Sequence, residues 1–246
     1  MCNCMPHNAG KATYTEDVEK GSMTMHANSP QASLGRADVL PQSYAQAVRP
    51  SNIGNPGTLG LFAFASTTLI LSLYNLQTRG ITTPNVVIGM AAFCGGLAQL
   101  LAGMWEFPRG NVFGGTAFTL YGAFWMSWAT ILLPFTGVIA AYDDPNEYKS
   151  ALGIYLITWA IITFLLFVTA LKKNIAFIVL FGFLTITFIL LAAGDFAHSV
   201  SAAKAGGGMG VVTACVAFYI GLSELLASED MAIVRLPLGI IPKKVD

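Results

Sequence analysis

Charge is scarce in this sequence. Asp, Glu, Lys and Arg make up 11% of the 246 residues, against about 25% in an ordinary soluble domain. The 13 basic and 13 acidic side chains cancel and are unevenly placed, and with the long uncharged stretches described below they argue against a soluble enzyme or a nucleic-acid binder. Cysteine is scarce as well. Four of them, Cys2, Cys4, Cys94 and Cys215, do not make a secreted disulfide framework. Cys94 and Cys215 sit in apolar stretches and read as small packing residues. Cys2-Asn3-Cys4 is a weak signal for palmitoylation or metal binding. No GxSxG, HExxH, P-loop or CxxC motif occurs, so neither an enzyme nor a bound cofactor or metal is expected. No apolar run precedes residue 56, so no cleavable signal peptide is expected.

What the chain has instead is long apolar sequence. Apolar and aromatic residues form 54% of it, and between residues 50 and 223 lie six uncharged stretches of 19 residues or more. About 20 apolar residues suffice for a helix to cross the hydrocarbon core of a bilayer. The fold class is therefore an all-α membrane protein, a six-transmembrane-helix bundle embedded in lipid. The expected spans are 56–76, 84–105, 112–135, 151–171, 175–193 and 206–226, joined by short connections except for an acidic loop at 137–149 and a small-residue loop at 194–205. Residues 1–50, rich in Ser, Ala, Gln, Asn, Pro and Gly, are expected to be a disordered N-terminal tail. The membrane domain then covers 51–228, and 229–246 form a C-terminal tail.

Lys and Arg set the orientation. With the N-terminus inside, eight basic residues near the spans (Arg36, Arg49, Arg109, Lys172, Lys173, Arg235, Lys243 and Lys244) face the cytoplasm, and three (Arg79, Lys149 and Lys204) face outward. Both termini are therefore expected in the cytoplasm, with Asp143, Asp144 and Glu147 outside.

Several polar residues interrupt the apolar spans. Asn55-Pro56-Gly57 opens the first one, as an N-cap and a first-turn proline do. A helix start explains it, and so does anion attraction by the exposed amides of the first turn. Phe64, Thr68, Ser72 and Asn75 share one helix face. They either line a wet path or bond back to their own helix carbonyls. Gln99 and Glu106, seven residues apart, fall on nearly one face of the second span, and Glu106 is either functional or an interfacial partner of Arg109. In the third span a hydroxyl stripe (Thr116, Thr119, Ser127, Thr130) opposes Tyr121, Trp125 and Trp128, and periodicity does not choose between the faces. Asp195 and Glu224 close the fifth and sixth spans, and His198 reads as a loop residue. Small residues recur at Ala92, Gly96 and Gly103, at Gly110 and Gly114, and at Gly210, Ala214, Ala217 and Gly221. They serve close helix packing within a subunit or between subunits.

Three stretches together carry a family resemblance. Asn55-Pro56-Gly57-Thr58-Leu59-Gly60-Leu61 resembles the NPxPLGL signature of the acetate uptake transporter family of fungal and bacterial acetate and succinate permeases. The run from Glu106 through Gly110-Asn111-Val112-Phe113-Gly114 to Thr116-Ala117-Phe118 and Tyr121-Gly122-Ala123-Phe124-Trp125 is similar to its second and third helices. Ala217-Phe218-Tyr219 with Glu224 is similar to its last helix. The resemblance covers residues 52 to about 240, and the long tail resembles the fungal members. Thr58 replaces the second proline of the signature, so the start of the first helix is expected to differ slightly.

The resemblance implies a homohexamer with one pathway per protomer. It also implies a hydrophobic constriction at Phe64, Tyr121 and Leu184, and thus the Tyr121 face of the third span. Asn55 and Pro56 would receive a carboxylate at a cytoplasmic vestibule. Thr68, Gln99 and Thr119 would bind it on either side of the constriction, with Ala217 near the same level. Glu106 is the candidate proton acceptor. The expected function is transport of small carboxylates, chiefly acetate, through the plasma membrane, channel-like or proton-coupled. Two other readings stand beside it. One is a non-transporting sensor of acid or ammonium whose tail docks partners. The other is an aquaporin-like channel, which would call for a second Asn-Pro box that is not present.

Overall fold

A computed structural model describes residues 53–228 and 234–239. Residues 1–50, with Cys2 and Cys4, and most of the C-terminal tail lie outside the described residues. Among the described residues there are six long helices: α1 (Gly57–Asn75), α2 (Val87–Glu106), α3 (Val112–Leu132), α4 (Pro145–Ala170), α5 (Ile175–Phe196) and α6 (Val200–Ser228). Five are long and apolar enough to cross a membrane, and α3 is the other. At 21 residues α3 has the length and carries no charge, but glycine, hydroxyl, Trp and Tyr side chains dilute its hydropathy.

Asx side chains start four of the helices. Asn55 Oδ1 accepts from the Gly57 N–H at 3.0 Å, Asn111 Oδ1 from Gly114, Asp144 Oδ1 from Asn146 and Asn174 Oδ1 from Phe177. Each satisfies an amide that has no partner inside its helix. Thr58 lies in the first turn of α1, where a proline would also fit, and donates its hydroxyl to the Asn55 carbonyl at 3.2 Å.

The largest departures from the expected boundaries are the starts of α4 and α6. α4 begins at Pro145, six residues before the expected 151, because Asp144 caps it and Pro145 occupies its first turn. The stretch 194–205 is not a loop. α5 continues to Phe196, α6 starts at Val200, and only residues 197–199 turn, with His198 exposed in a left-handed conformation (φ 49°). In both places polar first turns are helical. α2 also holds a feature with no compositional mark, since Met90–Ala98 form a π-helix ahead of regular α-helix from Gln99.

α1 packs on α6, α6 on α5, α5 on α4, and α2 on both α1 and α3. Several glycines serve these contacts within the protomer, whereas Gly110 meets no neighbour among the described residues and Gly114 meets its own cap, Asn111. A side chain at Gly122 would meet Leu100, one at Gly103 would meet Gly115 O at 3.0 Å, and one at Gly207 would meet Ser72 O at 2.8 Å. Between α3 and the α4–α5 pair the spacing is set by aromatic rings instead. Phe113 meets Phe177 and Phe181 edge-on, and Phe124 packs on Tyr155, Trp159 and Phe188. Large rings hold these helices further apart than glycine contacts do, and the internal cavities lie along this seam.

Candidate functional site

Two cavities run end to end inside the helices, of about 250 and 170 Å³. They share three lining residues, Phe64 from α1, Tyr121 from α3 and Leu184 from α5. All three are at least 95% buried, and the Phe64 and Tyr121 rings stand 5.5 Å apart at 53°. The three side chains expected to form a girdle thus stand together where one cavity meets the next. The Tyr121 face of α3, with Phe124, Trp125 and Trp128, lines the cavities. On the hydroxyl face Thr130 bonds back to Met126 O at 2.9 Å.

The mouth of the first cavity is a polar cluster around the start of α1. Arg109 Nη1 donates to Asn55 Oδ1 at 2.8 Å and to Glu106 Oε2 at 3.1 Å. Asn111 Nδ2 donates to the same Glu106 oxygen at 3.0 Å, and Asn55 Nδ2 donates to Glu224 Oε2 at 3.2 Å. Glu106 is 1% exposed, and a buried carboxylate needs such partners. Gly57 is what lets the two acids close on α1. A Cβ there would sit 2.8 Å from Glu224 Oε2 and 2.9 Å from Glu106 Oε1. The positive end of the α1 dipole is therefore met by two of the protein's own carboxylates. Lys173 adds a second cation to the cavity wall, its Nζ 5.2 Å from the centre of the Phe113 ring.

Gln99 lies deeper in the first cavity and is fully buried. Among the described residues neither its Oε1 nor its Nε2 has a hydrogen-bond partner. An unmet buried amide is unfavourable by about 1–3 kcal/mol, so this side chain is suited to a polar occupant of the cavity. The α-helical geometry from Gln99 onward keeps it in line with Glu106, and both face the first cavity as their spacing indicates. In the second cavity Thr68 Oγ1, Trp125 Nε1 and Trp128 Nε1 are buried without partners among the described residues. Ser66 and Thr67, in contrast, bond back to the carbonyls of Phe62 and Ala63 at 2.8 and 2.9 Å. The stripe Phe64, Thr68, Ser72 and Asn75 thus faces the second cavity, and Asp195 lines that cavity too.

Three expected residues stand apart from both cavity linings. Pro56 starts α1, its carbonyl accepting from Gly60 N–H at 3.1 Å, while its neighbours Asn55 and Gly57 line the cavity. Thr119 faces α2 at Gly103 because the hydroxyl side of α3 packs there. Ala217 is fully buried in the apolar core of α6. Glu224, Arg109, Asn111 and Lys173 belong to the site and were not singled out as site residues from the sequence. Their signals were an acid inside an apolar span, an Asn at a helix start, and cations in short loops.

A profile described as the GPR1/FUN34/yaaH family matches residues 37–243. Over 184 residues, 74% of this chain, the sequence is 46% identical to "Accumulation of dyads protein 2" of Saccharomyces cerevisiae, and the match spans 65% of that protein's length. It is 37% identical over 218 residues to "Acetate permease A" of Emericella nidulans, covering 83% of this chain and 73% of the other. The solved "Structure of the bacterial acetate channel SatP" superposes with a TM-score of 0.68 at 36% identity, over 76% of this chain and 99% of that one.

Proposed function

The chain belongs to the GPR1/FUN34/yaaH family, and from that premise we propose that it carries small carboxylates, acetate first, across a membrane. The observation that carries the reading is the pair of internal cavities meeting at Phe64, Tyr121 and Leu184. The names of an acetate permease at 37% identity and an acetate channel of similar fold add the substrate class.

The chemistry follows from acetate's two ends. Arg109 and Lys173 offset its charge on entry to the first cavity, and Gln99 Nε2 donates to its oxygens in place of water. The two aromatic rings and Leu184 admit the methyl group and exclude a water shell. Beyond them the Thr68 hydroxyl and the indole N–H groups of Trp125 and Trp128 take over as donors. Several weak sites in series bind well enough for entry and loosely enough for exit. Glu106, coupled to Glu224 through the start of α1, is the proposed proton carrier. It would let the acid pass the girdle in its neutral form.

In this reading α3 is the sixth span, both termini are cytoplasmic, and the Asn55 end of the pathway faces the cytoplasm. The protein forms a homohexamer in the plasma membrane, with one pathway per protomer and no enzymatic activity. Residues 1–50 and 229–246 flank a membrane domain at 51–228. Uptake of labelled acetate into proteoliposomes containing the full chain tests the function. Time-dependent uptake above that of protein-free vesicles is expected. Equal uptake in both would overturn the reading.

A further inference from the structure

Tyr121 is the one girdle residue with a polar atom, and that atom is tethered. Its hydroxyl donates to Thr163 Oγ1 at 2.9 Å, and Thr163 Oγ1 donates in turn to the Trp159 carbonyl at 2.7 Å. The order is fixed by proton supply. Threonine's single hydroxyl proton goes to the carbonyl, so its oxygen is left to accept from the phenol. Thr163 is fully buried on α4 and lines neither cavity. The ring it holds is flanked by Phe64, by Phe181 (6.3 Å, 28°) and by Trp159 (6.3 Å, 31°). With its proton spent on Thr163, the phenol has none to give to a passing substrate.

We propose that Thr163 is a selectivity-positioning residue: by taking the Tyr121 proton outside the pathway it keeps the girdle free of hydrogen-bond donors and biased toward acids that carry only a carboxylate and an alkyl group. This rests on the acetate-transport reading. Without the tether the buried phenol needs another acceptor, and a substrate oxygen at the girdle is one. A hydroxy acid, with an extra oxygen to pair, then gains relative to acetate.

The test is uptake of labelled acetate and lactate into proteoliposomes, each normalised to incorporated hexamer or monomer, for Thr163→Val, which keeps the shape and removes the hydroxyl. The lactate-to-acetate ratio should rise about threefold to tenfold, the factor that one net hydrogen bond supplies. Thr163→Ser should restore the wild-type ratio. In a Tyr121→Phe background Thr163→Val should leave the ratio where Tyr121→Phe alone put it. Where Thr163→Val does not yield folded protein, Thr163→Ala is the second hydroxyl-free variant. An unchanged ratio in the hydroxyl-free variants, a shift that persists in the Tyr121→Phe background, or a serine variant that behaves like valine would each overturn the proposal. Wild-type protein that moves no acetate would overturn the transport reading itself, and that result is seen before any variant is compared.

Discussion

At Gln99 a fully buried amide has no partner within the described residues and faces the first cavity. A side chain kept for the fold alone would be replaceable by Leu, which removes both unmet polar atoms at similar volume and leaves stability unchanged or slightly higher. One kept for substrate would not. Gln99→Leu is therefore expected to keep thermal stability while weakening acetate uptake about tenfold or more, as loss of a hydrogen bond to a charged group implies. Uptake titrations beside melting of the purified protein separate the two. At Gly57 the expectation reverses. Ala there places a methyl 2.8–2.9 Å from the Glu224 and Glu106 carboxylates, which must shift out of their bonds to Asn55, Arg109 and Asn111, a loss of about 1–3 kcal/mol. Gly57→Ala should lower the melting temperature and activity together. That Gln99 and Glu106 share one face was legible from their spacing, which left Glu106 open between a functional role and the Arg109 pair that it makes. Phe64, Tyr121 and Leu184 were not legible in this way, since nothing local relates residues on three separate helices, and they came through the family resemblance. Spacing does not place Thr119, because a hydroxyl stripe looks the same whether it faces a path or a neighbouring helix. In fact it packs on Gly103.

Among the elements, α2 and α3 make close contact by glycine and the seam opposite them is held open by rings. Gly103→Ala would push a methyl toward Gly115 O at 3.0 Å and the Thr119 backbone. Since backbone cannot swing aside, the helices must part, and a loss of about 1–3 kcal/mol is expected. Denaturation of the purified variant in mild detergent reads it out, and a melting temperature equal to wild type would contradict the packing described. The existence of each long helix was legible from uncharged length. The starts of α4 and α6 were not, because Asn146, Glu147 and Lys149, and likewise Ser201 and Lys204, read as loop composition although their turns are helical. The π-helical stretch Met90–Ala98 was illegible for a different reason. Its residues, small and apolar, suit α-helix equally well, and the wider turn is set by what they pack on, with Gly95 against Thr67 and Trp125.

For the whole molecule, large apolar side chains cover the outer faces of α2 and α4, with Phe93, Trp105, Ile154, Ile161 and Leu165 each more than half exposed. In a membrane protein such faces meet lipid or sister subunits. Native mass spectrometry of the extracted protein is expected to give a hexamer, and a monomer that still transports would contradict this. α6, at 29 residues, extends about 43 Å, longer than the ~30 Å hydrocarbon core, so Lys204 at one end and Glu224 near the other reach its polar margins. Accessibility tags at residues 1 and 246 should label only after the cell is opened, in keeping with the excess of basic residues on that side. If acids pass between the two cavities through Phe64, Tyr121 and Leu184, the width of that passage decides which acids cross. Leu184→Ala widens that passage from the α5 side without touching the polar mouth. A single methylene in an apolar pocket discriminates by about 1–3 kcal/mol and Leu184→Ala removes three carbons, so the lactate-to-acetate uptake ratio, normalised to protein in the membrane, should rise about tenfold or more. A ratio equal to wild type, with both acids scaled down together, would mean that Leu184 only packs and that selection takes place elsewhere.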